Sequence, residues 1–158
     1  MKQTRLNIVT KTEKYPIVIG SNLTSSVSKI FKSNSINFDK CLIVVDKNVP
    51  KKFVSNIKKS LKNKNIFVLF FNASEKNKNI NSVNKILEVL LNKNFSRNDI
   101  LISLGGGITG DVSGFAASLF KRGLKFANIP TTLLAQVDSS IGGKTGAVSY
   151  THLRAHET

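Results

Sequence analysis

The passage that most constrains this chain is residues 100–112, where an apolar, β-branched run ends in three consecutive glycines and gives way to a helical pattern. Ile100, Leu101, Ile102, Ser103 and Leu104 follow Asp99 and precede Gly105, Gly106 and Gly107. A short run of this kind fits a strand buried on both faces, as in a parallel sheet. From Val112 onward, Phe115, Ala116, Leu119 and Phe120 fall at helical spacing, so strand, turn and helix follow in order. Glycine suits the turn because a Cβ would block positive φ and hold a ligand off the backbone. The N–H groups at the helix start can then bind a phosphate. Asp111 lies near that start, where a carboxylate caps free N–H groups or binds a ribose hydroxyl. Taken alone, the triplet is equally compatible with a plain βα turn closed by a capping aspartate.

The spacing G-G-G-x-x-G-D is not the common dinucleotide fingerprint, and no acidic residue ends a second strand at the usual later position. Residues 125–129 read as the next strand, ending in Pro130, Thr131 and Thr132 at the carboxyl edge of the sheet, where ligands bind in open α/β folds. Gln136, Asp138, Ser139, Ser140 and Lys144 then crowd around Gly142 and Gly143, a composition suited to a phosphate-rich or polyol ligand. Leu133, Leu134, Val137 and Ile141 are expected to anchor this segment, which argues against a merely solvated loop.

Upstream, strand and helix patterns alternate. Residues 5–9 and 15–19 read as a hairpin, and residues 23–31 as a weak helix with Ser21 and Asn22 as candidate caps. Residues 40–45 and 66–71 read as strands, and residues 50–62 as a helix with proline in its first turn. Residues 80–91 form the clearest amphipathic helix, with Val83, Ile86, Leu87, Leu90 and Leu91 on one side. The alternation predicts an α/β fold with a parallel sheet, and residues 1–146 suit one domain with no repeat or linker.

Together, GGGITGD at residues 105–111, FKRG at 120–123 and PTTLLAQVDSSIGGKTG at 130–146 resemble the 3-dehydroquinate synthase family of sugar-phosphate cyclases. The strong resemblance covers residues 101–146; other cyclases share much of the third motif and remain the nearest alternative. Iron-type alcohol and glycerol dehydrogenases share only a looser glycine turn and a Pro-Thr-Thr. The resemblance implies a Rossmann-like NAD-binding domain, followed in the family by a helical metal-binding domain that this chain is expected to lack.

The resemblance also implies roles. Gly106, Gly107, Ile108 and Asp111 would line the NAD pyrophosphate and ribose, with Thr109 and Gly110 completing the turn. Thr131 and Thr132 would contact the cofactor from the next strand end, and Asp46 and Asn48 would meet its ribose. Glu75 and Lys78 match a Glu-x-x-Lys element on the adenosine side, although Asn72-Ala73-Ser74 stands where the family has Pro-x-Gly. Asp138 and Lys144 would reach substrate, with Lys144 close to the cofactor as well. Arg122 would bind the substrate phosphate from a neighbouring subunit of a homodimer, a task suited to the planar, bidentate guanidinium. The implied reaction converts a seven-carbon keto-sugar acid phosphate to 3-dehydroquinate, with NAD regenerated each turnover and a zinc or cobalt ion polarising the reacting hydroxyl. The ion's Glu and His ligands belong to the helical domain, so this chain alone is expected to be inactive.

The net charge of +15 raises a different class, a basic nucleic-acid-binding module. Its lysines are spread along the chain among asparagines and isoleucines, however, which favours solvated surface charge and no nucleic-acid partner. Cys41 is the one cysteine, so no internal disulfide forms, and a thiol in a reducing cytosol is the simple account. No long apolar segment or signal peptide is evident, so no membrane partner and a cytoplasmic location are expected.

Residues 147–158 break from the family pattern, and residues 148–158 resemble the in-frame translation of a sequencing adaptor, to be kept out of fold reasoning. That reading assigns no metal role to His152 and His156, although their spacing beside Glu157 imitates a zinc helix.

Overall fold

A computed structural model describes residues 3–9, 11, 14–141 and 146–147. In chain order the elements are β1 (Thr4–Val9), β2 (Lys14–Ile19), a 3₁₀ turn (Leu23–Ser25), α1 (Val27–Ser33), β3 (Lys40–Asp46), α2 (Lys51–Ser60) and β4 (Asn65–Phe71). A second 3₁₀ turn (Glu75–Asn77), α3 (Ile80–Asn92), β5 (Ile100–Gly105), α4 (Gly107–Leu119), a third 3₁₀ turn (Phe120–Arg122), β6 (Lys125–Pro130) and a π-helical turn (Ala135–Ser139) follow. They group into two compact units, one of residues 1–37 and 50–64 and the other of residues 38–49 and 65–158.

In the first unit, β1 and β2 form the expected antiparallel hairpin, with Thr4 opposite Ile19 and Val9 opposite Lys14. The expected helix at residues 23–31 divides into the 3₁₀ turn and α1. Asn22 takes φ 56° ahead of that turn and makes no side-chain cap, and Ser26 makes none for α1. Pro50 precedes α2, where its fixed φ suits a helix start. Val27, Phe31, Val54, Ile57 and Leu61 are buried, and the Ser28 N–H donates to Ser60 Oγ at 3.0 Å.

The second unit carries a parallel sheet ordered β4-β3-β5-β6. Central β3 and β5 are buried at almost every position, as their unbroken apolar runs require. On one face, Leu42, Val44 and Leu101 join Val83, Ile86 and Leu90 of α3 and Val112, Ala116 and Ala117 of α4 in one core. Leu91 departs from the expected apolar side of α3 and is 57% exposed. The Asn79 side chain caps α3 by accepting from the Ser82 N–H at 3.0 Å.

Two buried groups lie at the amino edge of this sheet, Asp99 and Cys41. Asp99 accepts from the N–H groups of Lys40 (2.8 Å), Asp39 (3.3 Å) and Ser96 (2.7 Å), and from Ser96 Oγ (3.0 Å). Burial pushes its carboxyl up, but these donors outweigh that and hold it below the ordinary carboxylate value. Burial in β3, together with the nearby Asp99 charge, pushes the Cys41 thiol up and keeps it protonated.

Candidate functional site

Strand order determines where a ligand can sit. From β3 the chain steps outward to β4, then returns past β3 to β5 and on to β6. The connections leaving β3 and β5 therefore diverge, and in open α/β sheets ligands bind in the crevice at that point, beyond the carboxyl ends of the strands. The two ends that meet there are Asp46 of β3 and Gly105 of β5. A Cβ on Gly105 would lie 3.1 Å from Asp46 Cβ and 2.7 Å from Thr109 Oγ1. Only a bare backbone lets the turn close here. Asp46 Oδ1 accepts from the Asn48 N–H (3.0 Å) and from Asn48 Nδ2 (3.2 Å), so the two residues form one tight turn beside the glycines.

Helix α4 begins at Gly107, with Gly106 extended before it and no side chain capping the free N–H groups. A Cβ on Gly106 would approach Thr132 Cγ2 to 3.3 Å, and one on Gly107 would approach Ser139 Oγ to 3.0 Å. Thr132 and Ser139 thus hem the turn, which presents backbone donors and the positive end of a helix dipole to the crevice. This cradle fits a pyrophosphate such as that of NAD. Because the glycines themselves enter the helix, α4 starts earlier than the sequence pattern suggested. Asp111 therefore lies in its second turn and does not cap it. Instead Asp111 Oδ2 pairs with Lys78 Nζ at 2.6 Å, joining the segment after β4 to α4. Glu75 is exposed in the adjoining 3₁₀ turn.

From the other side, the Thr131 N–H donates to Gly105 O at 2.9 Å, and Thr132 Oγ1 accepts from the Ala135 N–H at 3.3 Å. Asp138 is exposed on the π-helical turn that follows. The apolar residues expected to anchor this segment do not do so. Leu133, Leu134, Val137 and Ile141 are 76%, 71%, 63% and 41% exposed, and small Ala135 is buried instead. Among the described residues no group of three or more His, Cys, Asp or Glu side chains is placed to hold a metal ion, so those residues do not fit one.

The profile of the family described as 3-dehydroquinate synthase N-terminal matches residues 68–154, which contain the glycine turn, the FKRG turn and the Pro-Thr-Thr segment. The chain belongs to the 3-dehydroquinate synthase family. It is 62% identical over 142 residues to a 3-dehydroquinate synthase of Pelagibacter ubique (strain HTCC1062), covering 90% of this chain and 39% of that protein. It is 42% identical over 146 residues to one of Blochmanniella floridana, with the same two shares, 90% and 39%. The chain therefore spans about 39% of the length of these curated relatives. Among solved structures, 2-deoxy-scyllo-inosose synthase complexed with carbaglucose-6-phosphate, NAD+ and Co2+ superposes with TM-score 0.78 at 27% identity, covering 86% of this chain and 37% of that one. The 2-epi-5-epi-valiolone synthase of Streptomyces hygroscopicus subsp. jinggangensis 5008, with NAD+ and Zn2+ bound, has the same fold, with TM-score 0.74 at 24% identity, covering 91% and 39%.

Within this family member, Asp46, Asn48, Lys78, Gly106, Gly107, Ile108, Thr109, Gly110, Asp111, Thr131 and Thr132 all lie at or next to the carboxyl edge between β3, β5 and β6. Arg122 does not join them. Its turn leads into Lys125, the register partner of Ile100 at the amino end of β5, so it sits at the opposite edge, exposed. A strand of six residues separates the two edges by roughly 20 Å. Lys144, His152, His156 and Glu157 lie outside the described residues. No motif marks the polar residues beneath the turn, Ser103, Ser113 and Asn128, although Ser103 and Asn128 each stand as a lone polar residue among apolar neighbours.

Proposed function

We propose that this segment is the NAD-binding part of a 3-dehydroquinate synthase, converting 3-deoxy-D-arabino-heptulosonate 7-phosphate to 3-dehydroquinate and phosphate in aromatic amino acid biosynthesis. The observation that carries the substrate assignment is the 62% identity to a protein of that name, against 27% to 2-deoxy-scyllo-inosose synthase. A different NAD-dependent sugar-phosphate cyclase is the alternative, supported by the likeness to that synthase.

When bound, NAD supplies a hydride acceptor that turns a ring hydroxyl into a ketone and acidifies the neighbouring C–H. The Gly107 and Ile108 N–H groups hold the pyrophosphate, while Asp46 and Asp111 accept from ribose hydroxyls. Thr131 and Thr132 bound the cofactor on the β6 side. Glu75 and Lys78 flank the adenosine. Asp138 and Lys144 orient the substrate, and Arg122 binds the substrate phosphate of a partner subunit in a homodimer, a role consistent with its place at the far edge.

No step is assigned to a metal ion, because the described residues supply no ligand set. For the same reason, residues 1–146 alone do not turn over, and a zinc or cobalt ion would be held elsewhere in a full-length protein. The exposed face of Leu133, Leu134, Val137 and Ile141 is the surface on which further polypeptide would pack. Residues 148–158 are read as adaptor sequence; the family profile runs to residue 154, and the source nucleotide read decides between the two. The +15 charge is assigned to solvated surface, with neither nucleic acid nor membrane as partner and a cytoplasmic location. No helix among the described residues is long and apolar enough to cross a membrane.

Calorimetric titration of the chain with NAD, and a dehydroquinate assay of the full-length gene product, test this reading. Saturable NAD binding and phosphate release from the heptulosonate phosphate are expected. Salt-sensitive DNA binding without NAD affinity would overturn it, and dehydroquinate formation by the chain alone would overturn its inactivity.

A further inference from the structure

Four buried oxygens gather where β5, β6 and α4 pack beneath the glycine turn. Ser103 of β5 and Asn128 of β6 are register partners in adjacent strands. Asn128 Nδ2 lies 3.1 Å from where a Cβ on Gly110 would stand, so the amide reaches under the first turns of α4. Thr109 packs over Gly105, and Ser113 follows one helical turn later on the same side as Thr109. Ser103, Thr109 and Ser113 are fully buried. Their hydroxyl oxygens and Asn128 Oδ1 have no hydrogen-bond partner among the described residues.

Such a cluster is costly if left dry. Each buried, uncompensated polar group forfeits its hydration, so several together weigh heavily against the marginal stability of a small domain. By contrast, the buried Asp99 carboxylate of the same unit is met by four donors. Proteins commonly satisfy such groups with ordered internal water, which makes about three hydrogen bonds and needs several polar partners close together. A hydroxyl on a strand, an amide on its neighbour and two hydroxyls on the helix above supply that number of partners.

We propose that Ser103, Thr109, Ser113 and Asn128 form a binding site for ordered internal water, and that through it they act as positioning residues for the nucleotide-binding turn. The water ties the first two turns of α4 to β5 and β6. This fixes the direction in which the Gly107 and Ile108 N–H groups point. The link to nucleotide rests on the reading of that turn as the NAD site, whereas the water site itself does not.

Two measurements test the proposal. A high-resolution crystal structure of the protein is expected to show ordered water within hydrogen-bond distance of at least three of the four oxygens. Direct pairing of those side chains with no water between them would overturn the site. The combined variant Ser103→Ala, Ser113→Ala, Asn128→Leu removes three of the four partners together, which takes away most of the buried polar groups and leaves Thr109 in the turn. It is expected to melt within a few degrees of the parent while its NAD Kd rises about tenfold. An unchanged Kd at an unchanged melting temperature would overturn the positioning role. If the triple variant does not fold, Ser113→Ala alone carries the same test, with a Kd rise of about threefold expected and an unchanged Kd counting against the role. Failure of the parent to bind NAD would instead remove the cofactor assignment and leave the crystallographic arm to decide the water site.

Discussion

Lys78 Nζ and Asp111 Oδ2 stand 2.6 Å apart, so the segment after β4 and the second turn of α4 share one half-buried ion pair. Both residues are proposed above to contact the nucleotide, and the pair places Lys78 where it can hold the carboxylate toward the crevice. Hydrogen bonds to charged groups contribute about 1.5–3 kcal/mol, so Asp111→Ala should weaken NAD binding about 10- to 100-fold. Ion pairs of this kind contribute at most about 1 kcal/mol to folding, so the melting temperature should barely move. Titration calorimetry beside thermal melts checks both; a large fall in melting temperature with NAD affinity intact would reverse the assignment.

Gly105 is the point of closest approach in the turn. Its Cβ would stand 2.7 Å from Thr109 Oγ1 and 2.8 Å from Thr109 Cβ, atoms of a fully buried residue that cannot swing away. Gly105→Ala should therefore destabilise the protein by about 1–3 kcal/mol, the usual result of overpacking. Pushing the start of α4 outward should also weaken NAD binding. Urea denaturation with and without NAD separates the two losses.

Much of this was legible in the sequence, for reasons that differ by residue. The strands at 40–45 and 100–104 announced themselves because burial on both faces demands unbroken apolar runs. The edge of the sheet that bears Thr131 and Thr132 followed from strand direction alone. Of the two roles open to Asp111, the cap is not realised, because three glycines carry no hydrophobic pattern and the visible periodicity begins later than the helix. The anchoring role given to Leu133, Leu134, Val137 and Ile141 failed because periodicity reveals that residues share a face but not what the face meets. The Lys78–Asp111 pair is a contact between distant segments, which no local pattern encodes.

Asp99 gives the chain a pH dependence with a definite sign. Its carboxyl is held below its ordinary value of 3.8 in the folded state. A depressed folded value means the stabilisation is complete above the ordinary carboxylate range and is lost as pH falls through the folded value. Asp99→Asn removes a charged acceptor from the N–H groups of Ser96 and Lys40 and should cost about 1.5–3 kcal/mol at neutral pH. The gap between parent and variant should close as the medium is acidified below pH 3.8. Parallel denaturation curves at several pH values are the check, and a gap that widens in acid would contradict the depressed carboxyl.

Leu133 and Leu134 are 76% and 71% exposed, so they contribute little to the stability of the chain as described. Leu133→Ser with Leu134→Ser should change its folding free energy by no more than about 0.5 kcal/mol, as surface substitutions do. The same change should reduce self-association, because it removes apolar surface that water covers poorly. Thermal melts and light scattering read these outcomes separately. A destabilisation of several kcal/mol would mean that the two leucines pack after all.

The FKRG turn links strain to chemistry. Lys121, Arg122 and Gly123 take φ values of 45°, 68° and 116° in succession, and only glycine adopts that region at no steric cost. A Lys121 Nζ hydrogen bond to Phe95 O at 2.8 Å helps hold the turn. The left-handed backbone at Arg122 costs a non-glycine residue about 1–2 kcal/mol, which the proposed contact of its guanidinium with the substrate phosphate would offset. Arg122→Gly should therefore leave stability unchanged or raise it by up to about 1 kcal/mol, the larger unfolded-state entropy of glycine offsetting part of the gain. In the full-length protein the same substitution should raise KM for the phosphorylated substrate, with NAD affinity unaffected, because the turn lies at the sheet edge opposite the nucleotide crevice. Arg122→Lys should recover only part of the loss, since an ammonium cannot make the planar, bidentate contact. Steady-state kinetics and melts on the two variants decide the matter: a stability loss on Arg122→Gly would show that the guanidinium serves the fold, and an unchanged KM would remove it from the substrate site.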